Sequence, residues 1–162
     1  MTHPRFEQGL VRALLREQHP DLADLDLRDV EGGWDNQQLR LGPDLAVRLP
    51  RSERAPDLLR IERTWLPVLA GRLPLPTPVP VRAGEPSDLF AHTWTVARWV
   101  HGEPADLTPI VRDDAADALA GFLRALHEPA PHEAPVNPTR SDPLAGARGQ
   151  ARPPLRGHRR PR

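Results

Sequence analysis

Cysteine is absent from the chain's 162 residues, which excludes disulfides, thiolate nucleophiles and cysteine-based zinc sites. Net charge is absent too: 22 basic side chains balance 22 acidic ones, leaving no overall polycation to hold nucleic acid. No stretch is apolar and long enough to span a bilayer, and the opening run Met1-Thr2-His3-Pro4-Arg5-Phe6-Glu7-Gln8 lacks the hydrophobic region of a signal peptide. Together these absences predict a cytoplasmic protein whose partners include neither nucleic acid nor a membrane. The length fits one domain better than two. Lysine is missing as well, every strongly basic side chain being arginine, and proline is abundant at 21 residues. That bias points to a GC-rich genome rather than to a mechanism.

What is present is organised around Val30–Leu49, which reads as strand, glycine turn, strand, tight turn, strand. Gly32 and Gly33 permit backbone conformations that other residues resist, so the turn can lie close to a ligand. Asp35 and Asn36 are turn formers that also offer polar groups. After Gly42-Pro43-Asp44 reverses the chain, Leu45, Val47 and Leu49 alternate toward a core while Ala46 and Arg48 share the opposite face. A small residue beside a single cation, under a glycine turn, suits a flat base with phosphates beyond it. An ordinary β-meander with a surface arginine has the same pattern.

The following helix, predicted over 52–69, places Leu58, Ile61, Trp65 and Leu69 at helical spacing with Leu66 beside them. Glu62 falls near the middle of that apolar face, where a carboxylate is costly unless paired and hydrogen-bonded. Arg48 is the nearest candidate cation in sequence, and an ion pair between the two is expected. A strand cation paired with a helix carboxylate beneath a glycine-rich loop is how kinase-type enzymes set a cation against ATP phosphates. The alternative is a slightly rotated helix with Glu62 bent out to solvent.

The run Gly32-Gly33-Trp34-Asp35-Asn36, then Leu45 to Arg51, then Glu62 and Trp65-Leu66-Pro67, resembles the amino-terminal lobe of aminoglycoside phosphotransferases. The proline-rich run 73–80 and the later Arg98-Trp99-Val100-His101-Gly102-Glu103 fit the same family in the same order, and the resemblance extends to about residue 140. It implies a kinase-like α+β fold, an antiparallel sheet with one packed helix, and transfer of the ATP γ-phosphate to a small-molecule hydroxyl with magnesium. It implies that Gly32, Gly33, Trp34, Asp35 and Asn36 cover the phosphates, that Arg48 meets them, and that Glu62 orients Arg48. It further implies that the Arg98 carbonyl and Val100 amide read the adenine edge, with Ala46 and Ala97 against the base. Arg48 stands where such kinases more often carry lysine, a planar fork in place of a point charge.

Elsewhere the chain predicts a first helix over 6–18, ended by His19-Pro20, and an extended run over 73–80 leading to a short strand near Val79–Arg82. The longest β-like run is 89–100, with Phe90, His92, Trp94 and Val96 on one face. His92 and His101 read as structural or exposed, because no second ligand sits at metal spacing. A helix over 113–127 shows Ala115, Leu119, Phe122, Leu123 and Leu126 on one face, which needs partners that the remaining sequence does not obviously supply. Beyond Pro129 periodicity dissolves into a tail rich in arginine and proline, of disordered composition and without interleaved aromatics for base stacking.

Phosphoryl transfer also needs an aspartate to orient the acceptor and an asparagine and aspartate for magnesium. The resembled family carries these in a His-Gly-Asp…Asn loop and a later aspartate, and no His-Gly-Asp occurs here. The expectation is therefore a truncated phosphotransferase-like chain: a small lobe over 1–102, a hinge and truncated large lobe over 103–140, and a tail over 141–162. It would bind ATP weakly if at all, hold no catalytic or metal-ligating residue, and meet an acceptor only with the missing lobe. A frameshift near 140–148 would account for the tail's composition. The alternative is a non-enzymatic α+β binding module.

Overall fold

The computed structural model describes residues 5–103, 107–108, 110–111 and 114–135. The expected tail, the hinge residues 104–106 and the predicted start of the last helix at Asp113 lie outside them. The chain divides into two units, Met1–Glu128 and Pro129–Arg162, and all named elements belong to the first. These are α1 (Gln8–Gln18), a short 3-10 turn (Pro20–Leu22), β1 (Leu27–Val30), β2 (Asn36–Leu41), β3 (Leu45–Pro50), α2 (Ala55–Ala70), β4 (Pro80–Gly84), β5 (Trp94–Arg98) and α3 (Ala115–Leu126).

The strands form one antiparallel sheet in the order β1-β2-β3-β5-β4. Period-two alternation makes its two faces chemically different. Leu39, Val47 and Val96 stand opposite one another across β2, β3 and β5, all fully buried. One residue along, Gln38, Arg48 and Thr95 form the next row, and Arg40, Ala46 and Ala97 the row after, both on the other face. Val11, Leu14 and Leu15 of α1 close the apolar face together with Leu27, Leu41, Leu49, Phe90 and Trp94. The sheet thus carries a helix on its core side as well as α2 on the Arg48 side, one packed helix more than expected.

Three departures from the expected elements have local causes. Helix α1 begins at Gln8, not Phe6, because the buried Gln37 carboxamide takes both backbone groups of Phe6: the Phe6 amide donates to Oε1 at 2.7 Å and Nε2 donates to the Phe6 carbonyl at 2.8 Å. The freed ring packs edge-on against Phe90, centroids 5.2 Å apart. Strand β5 begins only at Trp94, since β4 ends at Gly84 directly opposite it and no partner remains for 89–93. Ser87 and Phe90 instead close a tight bridge through reciprocal bonds of 2.9 and 3.1 Å. Gly84 is required there: a Cβ would sit 1.9 Å from the Trp94 indole.

The third concerns the phase of α2. Its buried face is Ala55 and Leu59, continued by the half-buried Glu62, Leu66 and Leu69. At 100° per residue these five lie within one stripe, whereas Ile61 points well away and is 40% exposed. Leu59, not Ile61, is therefore the anchor, and the rotation keeps Glu62 on the inward face. Helix α3 buries no residue, and Leu119 and Leu123 of its apolar stripe remain 54% and 40% exposed.

Candidate functional site: a cleft beside the Arg48–Glu62 pair

On the Arg48 face, the sheet and the approach to β4 enclose a cleft of about 390 Å³. Ala46 and Ala97, paired across β3 and β5, form a low apolar floor, buried to 4% and 0% exposure. Pro76 and Pro78 form one wall, and Arg98, Trp99 and Val100 form the rim where the chain leaves β5. Gln38 and Arg48, neighbours in one cross-strand row, close the polar end.

Arg48 and Glu62 form the expected ion pair. Arg48 Nη1 donates to Glu62 Oε2 in a close contact, and Nη2 donates to Oε1 at 3.4 Å. The side chains are 14% and 30% exposed, so each charge offsets the desolvation of the other. The fork engages the carboxylate from one edge, while the buried Arg48 Nε has no hydrogen-bond partner among the described residues.

The rim is fixed by backbone bonds. The Arg98 amide donates to the Val79 carbonyl at 2.9 Å and the Trp99 amide to the Asp44 carbonyl at 2.8 Å. The Val100 amide, past the strand's end, donates to no protein group among the described residues. Outside the rim, the Arg40 guanidinium lies 4.4 Å over the Trp99 ring and braces it. His101 meets Asp44 at 3.1 Å in solvent, and His92 packs edge-on to Phe90; neither lines the cleft. Among the described residues no group of three His, Asp or Glu could hold a metal ion.

The glycine turn stands apart. Gly32 and Gly33 have φ of 95° and 74°, and a Cβ on Gly33 would come within 2.3 Å of the Asn36 carbonyl oxygen. With the 83%-exposed Trp34 they line a separate open hollow of about 720 Å³, not the 390 Å³ cleft. Asn36 belongs to β2 rather than to the turn and is 7% exposed. The Asp35 carboxylate is engaged by the residues preceding α2: it accepts from Ser52 Oγ at 2.7 Å and from Arg54 Nε and Nη2 at 2.9 Å each. The hydrogen bonds that Arg54 donates to Asp35, then the carboxylate's charge, raise Arg54 above the ordinary arginine value.

Of the residues singled out in the sequence, Ala46, Arg48, Ala97, Arg98 and Val100 meet in the cleft, with Glu62 on Arg48; Gly32, Gly33, Trp34, Asp35 and Asn36 do not line it. The sequence reading missed Gln38, Pro76, Pro78 and Trp99. The prolines were legible as an extended run, but their place against the sheet was not. Gln38 becomes visible only when the β2–β3 hairpin sets it opposite Arg48.

An antiparallel sheet of this order, with a helix carboxylate holding a β3 cation beside a cleft rimmed by the chain leaving β5, is the small lobe of a kinase-like fold. Residues 26–161 match the phosphotransferase enzyme family, to which the chain belongs. The fold is similar to that of wild-type aminoglycoside 2'-phosphotransferase-IIIa in its GDP complex, at TM-score 0.65 and 26% identity over 75% of this chain and 42% of that one. It is similar also to the GDP and kanamycin complex of APH(2")-IIIa, at TM-score 0.62 and 27% identity over 72% and 40% of the two chains. A streptomycin–ATP ternary complex of APH(2")-IIa, 16% identical over 79% of this chain and 42% of that one, shares the fold at TM-score 0.54. The chain thus spans about 40% of the length of these structural relatives. No curated protein matches it. No described helix is long and apolar enough to cross a membrane.

Proposed function

We propose that the chain is the nucleotide-binding part of a small-molecule phosphotransferase and takes a purine nucleoside triphosphate in the 390 Å³ cleft. The observation that carries this reading is the Arg48–Glu62 pair, held at the polar end of a cleft whose floor is two alanines and whose rim offers a backbone donor without a partner among the described residues. A planar base would lie over Ala46 and Ala97, with the Val100 amide and Arg98 carbonyl at its hydrogen-bonding edge. Arg48, kept extended by Glu62, meets the phosphates, and the glycine turn at 32–35, which lies outside the cleft itself, would cover them from the β1–β2 side. The relatives' complexes contain GDP and ATP, so both purines belong in the test.

Calorimetric titration with ATP and GTP tests the reading: binding by the wild-type chain, weakened at least tenfold by Arg48→Ala, is the expected result. No binding of either nucleotide would leave the alternative of a non-enzymatic α+β binding module, which the exposed Leu119 and Leu123 on α3 favour.

Transfer itself is a separate matter. The 162 residues contain no His-Gly-Asp segment, and the described ones assemble no metal-binding group. Acceptor orientation and magnesium coordination would have to come from groups outside them, and a small-molecule acceptor with them. We expect ATP consumption by this chain alone to stay at background with any aminoglycoside or other alcohol. Turnover abolished by Arg48→Ala would overturn that expectation.

A further inference from the structure

The connection between the glycine turn and α2 is denser than a surface loop requires. Arg51, Ser52 and Arg54, on the segment leading from β3 into α2, all reach the turn. The Arg51 amide donates to the Asp35 carbonyl at 2.8 Å, and Arg51 Nη2 donates to the Gly32 carbonyl at 3.0 Å. Ser52 Oγ and the Arg54 fork then take the Asp35 carboxylate, the fork through two parallel bonds of 2.9 Å. Bidentate arginine–carboxylate geometry fixes orientation as well as distance. Asp35 is 22% exposed, so this junction is partly shielded, whereas the Arg54 side chain is 71% exposed.

The segment so tied is the start of the helix that carries Glu62. Ala55 and Glu62 lie two helical turns apart, about 10 Å along the axis. The glycine turn is thus hydrogen-bonded to the start of the element that holds Arg48 in place.

We propose that Asp35 is a positioning residue: through Ser52 and Arg54 it couples the glycine turn to α2, so that turn, helix and the Arg48–Glu62 pair move as one body. The assignment rests on the nucleotide reading for its consequence, since a coupled turn and pair would grip the phosphates together. It adds to the expectation that the Gly32–Asn36 turn covers the phosphates a role for the Asp35 side chain in holding that turn to α2.

Two measurements on the full chain test it. The first is amide hydrogen exchange. Arg54→Ala, at an exposed side chain that leaves the fold intact, speeds exchange in the turn at 32–34 by about tenfold, and Asp35→Asn does the same for the first turn of α2. The second compares ATP with adenosine, which lacks phosphates. Arg54→Ala weakens ATP about tenfold, within the usual range of coupling between sites, and leaves adenosine within about twofold. Arg54→Lys, keeping the charge without the fork, falls between. Adding Arg54→Ala to Asp35→Asn costs no more than Asp35→Asn alone. Unchanged exchange in both variants overturns the coupling, as does an equal loss of ATP and adenosine with a lowered Tm, which marks a merely structural contact. A wild-type chain that binds neither ligand defeats the nucleotide reading instead, and the exchange measurement still decides the coupling.

Discussion

Removing the carboxylate of Glu62 leaves the Arg48 guanidinium, 14% exposed, without its ion-pair partner in the cleft wall. Truncating one member of a fully buried pair costs about 3–5 kcal/mol, because the survivor stays charged and uncompensated. For exposed pairs the cost is about 0.2–1 kcal/mol. With Glu62 30% exposed, the pair sits between these limits, and Glu62→Ala is expected to cost about 2 kcal/mol. For a chain of this length that lowers Tm by about 4–8 °C. Glu62→Gln keeps one acceptor and should cost roughly half as much. The combined Arg48→Met, Glu62→Leu variant removes both charges, fills the same volume, and should return close to wild-type stability. Urea unfolding of the four proteins of an Arg48→Met, Glu62→Leu cycle gives the coupling energy directly, expected at about 2–3 kcal/mol. Additive single effects, each below about 0.5 kcal/mol, would show a solvated pair and refute the reasoning.

The corrected phase of α2 predicts that Leu59→Ala costs about 2–4 kcal/mol while Ile61→Ala costs under about 1 kcal/mol, and urea midpoints read the contrast. Gly84→Ala drives a methyl into the buried Trp94 ring and should cost about 3 kcal/mol or prevent folding, visible as lost or red-shifted tryptophan fluorescence. Gln37→Ala removes both bonds that hold Phe6 and should destabilise by about 1–3 kcal/mol, with faster amide exchange around residues 6–10; unchanged exchange there would show that the Phe6–Phe90 contact alone holds the segment.

Period-two alternation in 45–49 by itself determined which residues of β3 face the core and which share a face with Arg48. The helical spacing around Glu62 determined that a carboxylate points inward, and a buried carboxylate needs a cation; the pairing with Arg48 followed from that chemistry. The turn positions at Gly32, Gly33 and Gly42 were legible because only glycine takes positive φ at little cost. Tertiary structure decided the rest, where several residue types satisfy the same local rule. The α2 stripe could be drawn through Leu59 or Ile61, and only its contact with the sheet selects Leu59. The run 89–100 is β-like throughout, but a strand needs a partner, and β4 supplies one only from Trp94 onward. An aspartate in a glycine turn looks like a ligand group until the fold brings Ser52 and Arg54 onto it. The side chains that engage its carboxylate lie seventeen and nineteen residues away, and no local pattern in the chain records that meeting.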